Sequence, residues 1–285
     1  MTQATFLAAQ FKPGIARPTR DAAFSERQSR RVLLPVVGLL FVVSATVTAL
    51  WCSSMEAMSG MPMPGGWTMS MTWMRMPGQT WAGATASFLA MWVVMMAAMM
   101  LPSLLPMLLR YRQVIDCAAE SRLERLTAIA GLGYFFVWTL LGLAVFPAGV
   151  VLATVEMKIP ALARTVPTTV GVVVLLAGAL QFTRWKARQL ACCREAPSYC
   201  LRKPANDGTA WRQGLRFGLH CSLSCANLTV ILLVTGVMDL RAMAFVTAAI
   251  TAERLAPSGK GTAQAIGLAI LLIGLILTAR AIRFT

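Results

Sequence analysis

The sequence predicts an all-α, polytopic transmembrane helix bundle of six to seven helices with a Met-rich periplasmic loop. Three observations predict this class. Hydrophobic residues make up 57% of the chain and charged residues only 13%, about half of the roughly 25% that a soluble domain carries. The apolar residues form runs long enough to cross a bilayer, for which about 20 residues suffice. The basic residues, which give a net charge of +15, fall in bursts between those runs.

The first half of the chain contains the clearest elements. A basic tail over 1–31 precedes a first span over 32–52, which we expect to be retained because no small-residue cleavage site follows it. A polar loop over 53–80 leads to a second span over 81–109. Two prolines inside that span are compatible with a membrane helix, because neighbouring helices can satisfy the freed carbonyl groups.

The second half contains four or five further spans. We expect three of them over 128–153, 166–183 and 214–237, and we interpret the basic stretch 184–212 as a loop. The run 242–256 is short for a hydrocarbon core of about 30 Å, so it either spans or re-enters, and a final run covers 264–279. The transmembrane domain is predicted to occupy 32–283.

The basic bursts also predict the orientation. The tail and the stretches 110–125 and 184–212 hold most of the Lys and Arg residues, which membrane proteins retain on the cytoplasmic side. We therefore expect a bacterial inner (cytoplasmic) membrane protein with a cytoplasmic N-terminus and a periplasmic loop 53–80, and with the lipid bilayer as its main partner. Because the charges are not gathered on one face, we expect no nucleic-acid binding.

The periplasmic loop is rich in thioether sulfur. Methionine gains nothing from water, whereas its soft sulfur suits a soft cation such as Cu(I). Spacings of two and three residues in a Gly/Pro-containing loop would let several sulfurs reach one ion. Packing at the membrane interface together with Trp67 and Trp73 is the alternative. The candidate metal ligands are Met55, Met58, Met61, Met63, Met69, Met71, Met74 and Met76.

The second predicted span carries a methionine stripe. Met91, Met95 and Met99 recur every four residues and therefore share one helix face, with Met96 and Met100 beside them. The stripe would be a conduit for a soft ion from the loop, or simply packing between helices.

Thiols cluster in the predicted cytoplasmic half. Cys221 and Cys225 are four residues apart on the predicted fifth span, which places both sulfurs on one face. Cys193 would supply a third thiolate if its loop folds back, and the surrounding basic residues favour the thiolate form. The alternative is that these buried cysteines act as small apolar residues.

Other chemistries find less support. The only histidine, His220, excludes a bis-histidine haem within one chain, and no G-x-x-x-x-G-K-[ST] loop indicates a nucleotide site. We therefore expect copper as the bound species, no haem, no nucleotide and no enzymatic activity, with a thiol redox relay as an open alternative. Glu253, next to Arg254, is interpreted as half of an ion pair at the membrane interface, with a functional carboxylate as the alternative.

Four groups of residues form a family pattern. They are Met91-Trp92 with Met95; Ala98-Met99-Met100-Leu101-Pro102-Ser103 with Pro106; Gly133-Tyr134 with Trp138 and, further on, Gln181, Lys186, Leu190, Cys193, Arg194 and Pro197; and Gly218, Cys221, Cys225, Gly236-Val237-Met238, Leu240 and Glu253. Together they resemble the bacterial family of predicted metal-binding integral membrane proteins, a domain of unknown function sometimes labelled copper chaperone. Gln189 and Ser224 stand where that family often has cysteine.

The resemblance implies a metal-binding membrane protein. With the sulfur distribution, it predicts Cu(I) binding for periplasmic metal handling or for transfer into or across the membrane, with a periplasmic metal-binding protein or a membrane complex as a possible partner. The alternative is a non-catalytic membrane subunit or assembly factor that packs against a partner complex without metal.

Overall fold

The computed structural model describes residues 20–57, 60–64, 66–75, 78–115, 120–195, 206–256 and 259–284. The side chains of some helical residues, among them 20–32 in the first helix and Cys193, lie outside the description. The described chain forms α1 (Arg20–Ala57), β1 (Met61–Met63), β2 (Trp67–Met69), a 3₁₀ turn (Met71–Trp73), α2 (Trp81–Val114), α3 (Glu120–Lys158), α4 (Pro160–Leu180), α5 (Arg184–Glu195), α6 (Asp207–Thr235), α7 (Leu240–Leu255) and α8 (Gly259–Phe284).

The predicted all-α class is confirmed. Within the described ranges, six helices are long and apolar enough to cross a membrane, namely α1, α2, α3, α4, α6 and α8. The chain divides into two compact units, up to Val36 and from Val37 onward, and all contacts given below lie in the second. The predicted domain boundary after residue 31 stays a prediction.

Three elements differ from expectation. The stretch 184–212 was expected to be a loop but contains the charged helix α5, which packs on α6. Lys186 and Leu190, four residues apart, form its buried face, and this burial stabilises the helix. The run 242–256 forms α7, whose 16 residues fall short of a spanning helix. The loop 53–80 contains a small antiparallel hairpin of β1 and β2.

The centre of the bundle is formed by α2 and α6. In the most apolar stretch of each helix, 56% of the residues are buried in α2 and 50% in α6. The corresponding share in α8 is 17%, so α8 faces outward on most of its circumference. Trp92 of α2 is fully buried, and its indole nitrogen donates to the carbonyl oxygen of Trp138 in α3 at 2.9 Å. This hydrogen bond satisfies a polar group that would otherwise be costly in an apolar interior.

Glycines set the spacing of α3 and α6. A Cβ on Gly214 would collide with the backbone of Ala130, and one on Gly218 would lie 2.8 Å from the Cβ of Val137. From Gly214 to Gly218 in α6, the contacted residue in α3 moves from Ala130 to Val137. Both residue numbers increase together, so the two helices run parallel. Their close approach brings Tyr134 of α3 onto the face of α6 that carries the cysteines.

A tight turn folds α7 back onto the bundle. Gly236 ends α6 with a φ of +131°, a conformation that residues with a side chain rarely adopt. Three residues later Asp239 caps α7, accepting hydrogen bonds from the backbone N–H groups of Arg241 and Ala242 at 2.8 and 3.1 Å. As a result α7 packs against α6 and α2, with its last turn beside the middle of α6.

Candidate metal site

Three sulfur-bearing side chains lie together between α2 and α6. Cys221 and Cys225 are free thiols, one helical turn apart and almost completely buried. The Sδ atom of Met100, a fully buried residue of α2, lies 4.0 Å from the Sγ atom of Cys221. When two sulfurs bind the same ion at about 2.3 Å in trigonal geometry, the two sulfurs lie about 4 Å apart. The donor set of two thiols and one thioether therefore suits a soft cation.

Tyr134 adds a hydroxyl group to this sulfur cluster. Its Oη atom lies 2.9 Å from the Sγ atom of Cys221, and the side chain is fully buried. A phenol beside a thiol can donate its proton to the sulfur when that sulfur is a thiolate.

The last turn of α7 contributes a guanidinium group. The Nη2 atom of Arg254 lies 3.4 Å from the Sγ atom of Cys225 and 3.1 Å from the hydroxyl oxygen of Ser224. Its Nη1 atom lies 3.6 Å from the Sδ atom of Met107. A positive charge at this distance favours the thiolate form of Cys225, which is the form that binds metal.

A buried ion pair lies next to the sulfur cluster, at Ser224 of α6. The Lys186 ammonium donates to the Glu253 carboxylate at 2.9 Å and to the carbonyl oxygen of Ser224 at 2.6 Å. The amide of Gln181 donates to the other carboxylate oxygen at 2.7 Å. Burial raises the pKa of the Glu253 carboxyl above its usual value, while the nearby Lys186 ammonium opposes that rise. Glu253 is thus buried beside Lys186, and the expected interfacial pairing with Arg254 is replaced by this contact.

The cluster lies level with the end of α4. Gln181 directly follows α4, whereas Ser224 lies 17 residues inside α6. At 1.5 Å per residue, α6 therefore continues roughly 25 Å beyond the cluster toward its own N-terminus. The cluster consequently lies at one end of the apolar part of the bundle, below the charged extensions of α3 and α6.

The Met-rich loop docks at the opposite end. In the hairpin, Met61 pairs with Met69 and Met63 with Trp67, so the three methionines share one face. Met69 is buried and Met61 is 38% exposed. The indole nitrogen of Trp67 donates to the carbonyl oxygen of Ala163 in α4 at 2.9 Å.

The other loop methionines are more dispersed. Met55 and Met74 are half-buried, and Met71 lies in the 3₁₀ turn with its side chain outside the description. Met58 and Met76 lie outside the described residues. Three of the eight predicted ligands are thus brought together on the hairpin face.

The methionine stripe of α2 is buried throughout. Met91, Met95 and Met99 are each less than 8% exposed, and Met96 and Met100 are fully buried. The 3₁₀ turn reaches this helix through Trp73, whose ring centroid lies 5.5 Å from that of Phe88, one turn before Met91. Buried sulfur therefore extends along α2 from near the loop to Met100.

Several residues of the cluster escaped prediction as site residues. Met100 contacts Cys221, although Met99 is the residue that continues the four-residue spacing. Tyr134, Lys186 and Glu253 belong to the residues that carry the family resemblance, which is the signal that could have found them. Arg254 has no such signal. Cys193 lies in α5, with its side chain outside the description.

Among the described side chains, no three His, Cys, Asp or Glu residues lie close enough to hold a metal ion. In this part of the chain, the sulfur atom nearest to the Sγ atom of Cys221 that belongs to another helix is the Sδ atom of Met100, at 4.0 Å.

Comparison with known proteins identifies the family. Residues 89–277, more than half of the chain, match the family PpoB2, which is described as a copper chaperone. Searches of curated proteins and of solved structures find no match to the chain. The matched range contains all the residues of the sulfur cluster and of the buried ion pair but not the Met-rich loop. The chain belongs to the PpoB2 copper-chaperone family.

Proposed function

We propose that this protein is a membrane-embedded Cu(I) handling protein that holds the ion between Met100, Cys221 and Cys225. The observation that carries the proposal is the burial of two free thiols and a thioether in one cluster with Arg254 beside them. Thiolate and thioether sulfur are the ligands that Cu(I) prefers. Cys193 is the candidate for an additional thiolate from α5.

Capture takes place at the Met-rich loop. Met61, Met63 and Met69 share one hairpin face, and Met55, Met58, Met71, Met74 and Met76 supply further thioethers. Thioethers carry no proton, so they bind Cu(I) in an acidic or oxidising compartment. The proposal places the loop in the periplasm of a bacterial inner membrane protein with a cytoplasmic N-terminus, where a periplasmic metal-binding protein or a membrane complex would exchange the ion.

Passage from loop to cluster follows α2. Five buried methionines, from Met91 to Met100, cover about 14 Å of helix axis. An ion that moves along them exchanges one thioether for the next and stays shielded from water. It ends at Met100, which already contacts Cys221. The role is that of a carrier without catalysis.

Metal retention by the purified full chain tests the cluster. Protein in detergent is loaded with Cu(I), passed over a desalting column and analysed for copper. The variant that carries Cys221→Ser and Cys225→Ser should lose one copper per chain. Cys52→Ser is the matched control, because Cys52 is an equally buried cysteine. Equal copper in the double variant and the unmodified chain would contradict the proposal.

Loop capture needs a separate test. Replacing Met61, Met63 and Met69 by Leu conserves side-chain volume and should slow the transfer of Cu(I) from a weak chelator to the cluster by roughly tenfold. Met157→Leu, an exposed methionine at the end of α3, is the control. An unchanged transfer rate in the triple variant would leave the hairpin as a packing element only.

A further inference from the structure

Arg254 occupies one side of the sulfur cluster. Its two terminal nitrogens contact Cys225 at 3.4 Å and Met107 at 3.6 Å. An ion bound to Cys225 would lie about 2.3 Å from its sulfur, and therefore about 5 Å from the guanidinium charge. A guanidinium stays protonated in proteins. Any bound ion thus meets a fixed positive charge that is held in place by Ser224 and Ser103.

The charges of the neighbouring side chains nearly cancel. In the metal-bound form Cys221 and Cys225 are thiolates, and the Glu253 carboxylate adds a third negative charge. Arg254 and Lys186 supply two positive charges. One negative charge is left for the ion, so a monovalent cation neutralises the group and a divalent cation leaves it positive.

We propose that Arg254 is a specificity-determining residue that makes this sulfur site select a monovalent over a divalent soft cation. The proposal rests on the metal site proposed above and adds the reason for its choice of ion. Softness alone does not separate Cu(I) from thiophilic divalent ions, because thiolates bind both. A charge about 5 Å away does, since it repels a divalent ion twice as strongly. With an effective dielectric constant of about 20, this difference corresponds to roughly 300-fold in relative affinity.

The test compares Ag(I) with Cd(II), two thiophilic ions with closed d shells that differ in charge. Both affinities are measured on the purified full chain by competition with a reference dithiol. Arg254→Gln should shift the affinity ratio toward Cd(II) by roughly 300-fold. Arg254→Lys, which restores the charge, should stay within about tenfold of the unmodified ratio.

A second variant changes the charge in the opposite direction. Glu253→Gln removes a negative charge, keeps the shape of the side chain and leaves Lys186 an amide oxygen to bind. It should shift the ratio away from Cd(II), and it provides the test by itself if Arg254→Gln does not fold. A purely structural disturbance would lower the affinity for both ions in both variants.

The outcomes are distinct. Opposite shifts in the two variants support the role of Arg254. A ratio that changes less than about threefold, or that moves the same way in both, overturns it. An unmodified chain that retains neither ion contradicts the metal site itself, whereas retention with an unchanged ratio contradicts only the charge selection.

Discussion

The hydroxyl oxygen of Tyr134 lies 2.9 Å from the sulfur of Cys221, and both side chains are fully buried. Tyr134 reaches this position because Gly218 lets α3 approach α6 closely. The contact links the packing of two long helices to the geometry of the candidate ligands.

Tyr134→Phe keeps the ring and removes the hydrogen bond. If Cys221 binds metal as a thiolate, the loss of a donor to a charged sulfur should weaken Cu(I) binding by about tenfold, which corresponds to roughly 1.4 kcal/mol. Titration against a chromophoric Cu(I) chelator measures this. Tyr111→Phe, another buried tyrosine, should leave the affinity unchanged. Equal effects of the two substitutions would argue against a role for the hydroxyl.

Gly214→Ala should destabilise the bundle. The new methyl group meets the backbone of Ala130, and neither helix can yield without losing packing, so a loss of about 1–3 kcal/mol is expected. Gly131→Ala is the control, because no atom lies within 4 Å of its added Cβ; it should be neutral or slightly stabilising. Thermal unfolding in detergent compares them, and similar midpoints would show that α3 and α6 do not pack this closely.

Removing one member of the Lys186–Glu253 pair leaves a buried charge without its partner. Lys186→Met should therefore cost about 3–5 kcal/mol of folding free energy. The combination with Glu253→Leu removes both charges and should recover most of that loss. A double-mutant cycle from denaturation curves checks the prediction, and additive single effects would mean that the two groups do not interact.

Trp67→Phe removes the hydrogen bond from the hairpin to Ala163 in α4. The expected loss is about 1 kcal/mol, confined to docking of the loop, so protease cleavage between residues 58 and 80 should accelerate several-fold. Trp185→Phe is a suitable control, because Trp185 is 42% exposed and lies in α5. Unchanged cleavage in Trp67→Phe would indicate that the loop is held by other contacts.

The spans could be predicted from the sequence because each is a continuous apolar run, and hydropathy depends only on local composition. α5 could not, since its charges outweigh the two buried positions, Lys186 and Leu190, that define its packed face. The full lengths of α3 and α6 were also missed, because their charged first turns stay helical beyond the apolar segment.

The candidate site was predictable only in its local part. Cys221 and Cys225 are four residues apart, and this spacing alone predicts that they share one face of a helix. The partner of Cys221 is Met100, 121 residues away, and the partner of Glu253 is Lys186 instead of its neighbour Arg254. The first contact depends on how α2 lies against α6, and the second on how α7 folds back after Gly236. Both are contacts between residues far apart in the sequence, which a local pattern does not encode.

Copper K-edge X-ray absorption on the Cu(I)-loaded full chain tests the central claim most directly. We predict a first shell of three sulfur atoms at about 2.3 Å without nitrogen or oxygen. Met100→Leu should leave two sulfurs, and Met157→Leu should leave three. A shell dominated by nitrogen or oxygen, or a sulfur count that Met100→Leu does not change, would contradict the claim that Met100, Cys221 and Cys225 hold one ion together.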